Sequence, residues 1–123
     1  MDANDFEALE AMLDEKHSFT NPMTAEPGDK LSHLAMIESM TSAFEGKHIL
    51  DVVMSEGDWV SGKGHWTGRH TGEFNGIAAT GTYVIFTWMD MMHVVDGKLL
   101  EEYFEMNPMA IMQQIGASQA TAL

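Results

Sequence analysis

The sequence predicts an α+β domain in which helices come first and a curved antiparallel sheet packs on them. Three observations carry this. Two apolar stripes with helical spacing lie within residues 4–44. From His48 onward the apolar period changes to two. Gly57-Asp58 and Asp96-Gly97 then separate apolar runs, as turns do in a meander.

The first stripe runs from Asn4 to Leu13. Phe6, Leu9 and Leu13 share one side, and Glu7, Glu10 and Asp14 take the other. Asn4 or Asp5 supplies a side-chain oxygen that caps the free N–H groups. A short strand is expected at 17–19, then a loop at 24–30 marked by Pro27-Gly28. Asp29 to Phe44 is the second helix, with Asp29 as cap, Leu31, Leu34, Met36, Ile37, Met40 and Phe44 as its apolar stripe and Gly46 as its stop. Strands are expected at 48–56, 59–67, 83–95 and 98–106, with a Gly-rich excursion at 68–82. A last helix over 107–115 has Pro108 at its first turn, where a missing N–H costs nothing.

At 123 residues, one domain over 1–116 is expected, with 117–123 (ASQATAL) as a flexible tail. The absence of cysteine excludes disulfides, thiolate metal sites and cysteine nucleophiles. Six Lys and Arg against 19 Asp and Glu give a formal net charge of -13. Nucleic acid, which needs a basic surface, is therefore not an expected partner, and an anionic membrane would repel the chain. The acidic start, MDANDFEALE, has no basic n-region or apolar h-region, so a cytoplasmic protein is expected.

Candidate chemistry centres on Asp90, which lies within an apolar strand with Trp88 and Met92 at the same parity. A carboxyl held against Trp and Met has its pKa raised by desolvation and is poised as a general base or neutral acid. The competing reading pairs Asp90 with a nearby Lys or His, or faces it to solvent. His93 titrates near neutral pH and can shuttle protons, but its parity is opposite to that of Asp90. Tyr103, Glu105 and Asn107 alternate near the end of the last strand, where Tyr103 can donate to a carbonyl and Glu105 can act as base. Glu101 and Glu102 read as a solvated acidic edge. Asn107 before Pro108 also reads as an ordinary helix cap. Lys63 and His65 alternate on the strand before the Gly-rich segment, where Lys63 can pair with Asp90 or hold an acidic group of a substrate. No His pair has a recognised ligand spacing, so no metal is expected. Met89, Met91 and Met92 crowd one strand and suit an adaptable apolar pocket or a soft core.

The run 57–76, GDWVSGKGHWTGRHTGEFNG, resembles the SnoaL-like polyketide cyclase family of the NTF2-like superfamily. Gly68, His70, Gly72, Phe74 and Gly76 keep that family's motif spacing. Ala79-Thr80-Gly81 with Val84 and Phe86, Asp90 with Asp96-Gly97-Lys98-Leu99, and Ile111 with Gln114-Ile115-Gly116 follow in the family's order. The resemblance implies a cone: a bent antiparallel sheet over helices, with a pocket between them. It implies ring closure of an aromatic polyketide by an intramolecular aldol step, without metal or organic cofactor. It also implies dimers formed through the sheet. Three family features are replaced. The Arg after the strand Asp is His93, the His-Trp pair of the last strand is Glu102-Tyr103, and the carboxylate before the last helix is Asn107.

The expected function is binding of an apolar or aromatic small molecule, with cyclase or isomerase chemistry by enolisation and no cofactor. The alternative is a non-catalytic ligand-binding or dimerisation module on the same scaffold. The expected catalytic residues are Asp90, His93 and Glu105, and the expected substrate contacts are Lys63, His65, Trp88, Met92, Tyr103 and Asn107. A homodimer through the outer sheet face is expected, because helices cover one face only and Ile85, Met89 and Met91 share the other.

Overall fold

A computed structural model describes residues 6–121. The elements are α1 (Phe6–Met12), β1 (Leu13–Thr20), α2 (Lys30–Ala43), β2 (Phe44–Glu56), β3 (Trp59–His70), β4 (Tyr83–Val95), β5 (Lys98–Glu105) and α3 (Met109–Thr121). The five strands form one sheet in the order β1-β5-β4-β3-β2. Both expected turns are present, with positive φ at Gly57, Asp96 and Gly97.

The sheet is mixed rather than antiparallel throughout, because β1 pairs parallel to β5. No hairpin ties β1 to a sequence neighbour, so no turn sets its direction. Strand β1 begins at Leu13, which packs with Leu9, Leu34 and Leu99. The register shift between Leu13 and Ser18 hides its alternation from the sequence. Asp29 caps α2 by accepting from the Ser32 N–H at 2.9 Å. Gly46 does not stop that helix; the chain turns extended at Phe44, and Gly46 lies in β2 beneath Trp66. The expected tail is helical as far as Thr121. The Asn4 or Asp5 cap and residues 122–123 lie outside the described residues.

The inner face of β3 and β4 carries Trp66, Val84, Phe86 and Trp88, packed against Phe44, Ile77, Met106, Ile111 and Ile115. Glycines on β3 make room for the indoles. A Cβ at Gly64 would stand 2.6 Å from Trp88 Cζ2 and closer still to the Ile49 carbonyl oxygen. Gly64→Ala is therefore expected to cost about 2–3 kcal/mol through overpacking. Chemical denaturation checks this, and wild-type stability in the variant would contradict it. The outer face is apolar yet uncovered: Ile85 is 56%, Met89 58% and Met91 49% exposed.

Candidate functional site

Strands β4 and β5 place two carboxyl groups side by side inside the sheet. Asp90 is opposite Phe104, and Met92 is opposite Glu102, so the two acids are diagonal neighbours on the inner face. Glu102 is buried at 8% exposure and Asp90 is half-buried. Their carboxyls interact closely enough to shift each other's titration, and two carboxyls in such contact hydrogen-bond only when one keeps its proton. Asp90 Oδ1 is buried and has no amide, hydroxyl or ring N–H partner among the described residues.

Burial pushes Asp90 up to about 6, while the Glu102 hydrogen bond and the Met91 N–H pull it back. Burial pushes Glu102 up to about 9, reinforced by the hydrogen bond and by the charge of Asp90. Both carboxyls are thus held above the ordinary range, Glu102 further than Asp90, and the pair keeps a proton to higher pH than an isolated carboxyl does. Desolvation and like-charge repulsion separate the two titrations, as in other acid–base carboxyl pairs.

Two histidines complete the polar wall. His17 and His33 are buried at 3% and 6% exposure. His17 Nδ1 donates to the Leu99 carbonyl at 3.0 Å, so its Nε2 accepts from His33 Nδ1–H at 2.8 Å. The rings are nearly coplanar, at 15°, and Phe19 lies flat on His33 with centroids 3.7 Å apart. Burial pushes His33 down to about 4 and lowers His17, so both are neutral at pH 7. His17, His33 and Glu102 have donor atoms within 4.8 Å of one another and are the described residues that could hold a metal ion. His17 Nε2 and His33 Nδ1 lie 2.8 Å apart within this group.

Of the residues expected from sequence, Asp90, Trp88 and Met92 come together on the inner face. The others lie elsewhere. Lys63 is exposed in register with Met89 on the outer face, so it does not pair with Asp90. His65 is on that face too, 2.9 Å from Asp51. His93 stacks on Trp59 at 4.5 Å and bonds Glu101 at 3.2 Å. Tyr103 donates to Glu101 at 2.7 Å, and Glu105 is exposed opposite Met89. Asn107 is exposed, and its Oδ1 accepts from the Met109 N–H at 3.0 Å, which caps α3. The reading of Glu102 as part of a solvated edge is corrected, since an extra residue in β5 turns it inward. His17 and His33 carried no spacing signal at all.

Recesses open on other parts of the surface. One of about 520 Å³ is lined by Glu56, Asp58, Trp59, Met91 and His93. One of about 350 Å³ is lined by Phe6, Glu38, Thr41 and Ser42. Neither is bounded by the carboxyl pair.

A curved sheet over helices, with two carboxyl groups on its inner face, defines an NTF2-like α+β domain. The chain matches the SnoaL-like polyketide cyclase family over residues 1–115 and belongs to it. It is similar in structure to AclR from Streptomyces galilaeus, with a TM-score of 0.81, 20% identity and coverage of 94% of this chain and 78% of that one. IdmH from Streptomyces antibioticus gives 0.81 at 22% identity, covering 94% and 89%. TsrD from Streptomyces laurentii gives 0.76 at 25% identity, covering 92% and 84%. No functionally curated protein matches the chain. Among the described residues, no helix is long and apolar enough to cross a membrane.

Proposed function

We propose that this chain is a cofactor-independent proton-transfer enzyme of the SnoaL-like type, a cyclase or isomerase that enolises an apolar or aromatic carbonyl compound in the cytoplasm. The observation that carries the reading is the placement of Asp90 and the buried Glu102 side by side on the inner face, where burial raises both carboxyls and favours one proton kept between them. The Asp90 carboxylate removes a proton from the carbon next to a carbonyl, and the C–H electron pair becomes the enolate. In a cyclase the enolate carbon attacks a second carbonyl of the same molecule, and the proton on Asp90 passes to the resulting alkoxide. In an isomerase that proton returns to a different carbon. Glu102 stays protonated and holds the Asp90 carboxylate in place. Trp88 and Met92 wall the site, while His93, Glu105, Lys63, His65, Tyr103 and Asn107 stay outside the chemistry. The assignment proposed for IdmH, a polyketide cyclase, fits this reading.

The test is deuterium exchange at the α-carbon of aromatic and steroid-like ketones in D2O, followed by NMR. The protein is expected to accelerate exchange for at least one of them. Exchange at the buffer rate for all would count against the proposal.

A second reading has its own observation. The indoles of Trp66 and Trp88 fill the inner face, and neither recess reaches the acids. On that reading the chain is an assembly module whose outer sheet face binds a second copy. Both readings expect a homodimer, because Ile85, Met89 and Met91 leave an apolar face uncovered. Light scattering at micromolar concentration should give twice the mass of 13.6 kDa. Met89→Glu should shift it to the monomer, and a monomeric wild type would remove the dimer from both readings.

A further inference from the structure

An enolate needs a partner for its oxygen, and the described residues leave few candidates. Among them no cation approaches the carboxyl pair. Lys30 is tied to Glu15, Lys98 to the Ala11 carbonyl and Arg69 to Tyr83, while Lys16, Lys47 and Lys63 point away from it or are exposed. The buried N–H groups of His17 and His33 are committed too, His17 to Leu99 and His33 to His17. The Glu102 carboxyl lies against Asp90, which competes for any proton it keeps.

Two buried nitrogens among the described residues have no hydrogen-bond partner, His70 Nε2 and Trp88 Nε1. His70 is eight residues along β3 from Gly62, the residue facing Asp90, so it lies roughly 26 Å away. Trp88 is two residues from Asp90 on the same strand and face, about 7 Å along it. Its ring is held by Gly64 beneath, by Phe104 at 6.3 Å and by the edge of His48 at 5.6 Å. A buried donor without a partner carries a desolvation penalty that an incoming acceptor relieves.

We propose that Trp88 Nε1–H is the oxygen-binding donor of this site, hydrogen-bonded to the substrate carbonyl and more strongly to the enolate oxygen that develops from it. This rests on the proton-transfer reading of Asp90. It adds a specificity rule: with a neutral donor, a charged acid and no cation among the described residues, the site takes an uncharged ketone or ester and rejects the matching carboxylate. A donor aimed at developing charge acts mainly on the transition state.

The probes are 2-naphthol, whose oxygen mimics an enol, naphthalene, which lacks the oxygen, and 2-naphthoate, which is anionic. Trp88→Phe keeps an aromatic ring and removes the N–H. The wild type should bind naphthol at least about tenfold more tightly than naphthoate, the effect of one charge-sensitive contact. Trp88→Phe should weaken naphthol about tenfold and leave naphthalene within about twofold. The Trp88 indole N–H resonance, assigned by its loss in the variant, should move downfield with naphthol alone. Equal affinity of both proteins for naphthol, an unmoved indole resonance, or preference for naphthoate would each overturn the assignment. Asp90→Asn separates it from the underlying reading. If Asp90→Asn stops α-carbon exchange while Trp88→Phe changes neither exchange nor naphthol binding, the anchor fails and the base survives.

Discussion

Asp90→Asn is expected to lower α-carbon proton exchange by about 10²–10⁴, the range a positioned general base supplies. The amide is nearly isosteric and still accepts from Glu102, so the fold should stay intact. What it lacks is a lone pair basic enough to hold a proton taken from carbon. The wild-type pH profile should be bell-shaped. Activity rises through about pH 6 as Asp90 ionises and falls through about pH 9 as the proton on Glu102 is lost. Asp90→Asn should remove the rising limb with the activity. An Asp90→Asn variant that keeps the wild-type exchange rate would transfer the base role elsewhere.

Glu102→Gln is expected to stabilise the protein by about 2 kcal/mol above pH 7, because it removes a buried acid that resists ionisation. This corresponds to a rise in melting temperature of roughly 5–10 °C. Both acids have folded values above their unfolded ones, 3.8 rising to about 6 for Asp90 and 4.5 to about 9 for Glu102. The stability present below about pH 4 is therefore lost as pH rises toward 9. His33 acts in the opposite sense. Its value falls from 6.5 to about 4, so its contribution is present above pH 6.5 and lost as pH falls toward 4. The two trends oppose each other between about pH 4 and 6.5, and above that range the decline due to Glu102 stands alone. Thermal melts of wild type and variant from about pH 5 to 9 should show a wild-type decline above 6.5 that the variant lacks. Parallel curves would mean that Glu102 ionises normally. The glutamine amide introduced by Glu102→Gln can donate to the Asp90 carboxylate but has no acidic proton. The variant should therefore also lose the falling limb of the activity profile.

The element types were legible because two periods of apolar residues, about 3.6 and then 2, are strong signals in helices and hairpins. Partners set by tertiary packing were not. Strand β1 joins β5 in parallel across most of the chain, and no local turn encodes that choice. Asp90 was legible because a carboxylate within YVIFTWMDMMHVV stands out against its neighbours. Glu102 was not, and the reason is one residue. From the Asp96-Gly97 turn, Val95 pairs with Lys98 and Val94 with Leu99, a register that would continue to place Glu101 opposite Met92. A bulge at Leu100 shifts it, so that His93 meets Glu101 and Met92 meets Glu102. That slip reverses which glutamate faces inward. His17 and His33 lie on separate elements and meet only when α2 packs on β1, so no spacing announced them.

The proposed chemistry depends on one buried proton shared by Asp90 and Glu102, and a carboxyl carbon-13 NMR titration tests that sharing most directly. With both side chains labelled and assigned by Asp90→Asn and Glu102→Gln, the pair should lose its first proton near pH 6 and keep the second until about pH 9. Two carboxyls that both ionise below about pH 5, in the ordinary carboxylate range, would contradict it.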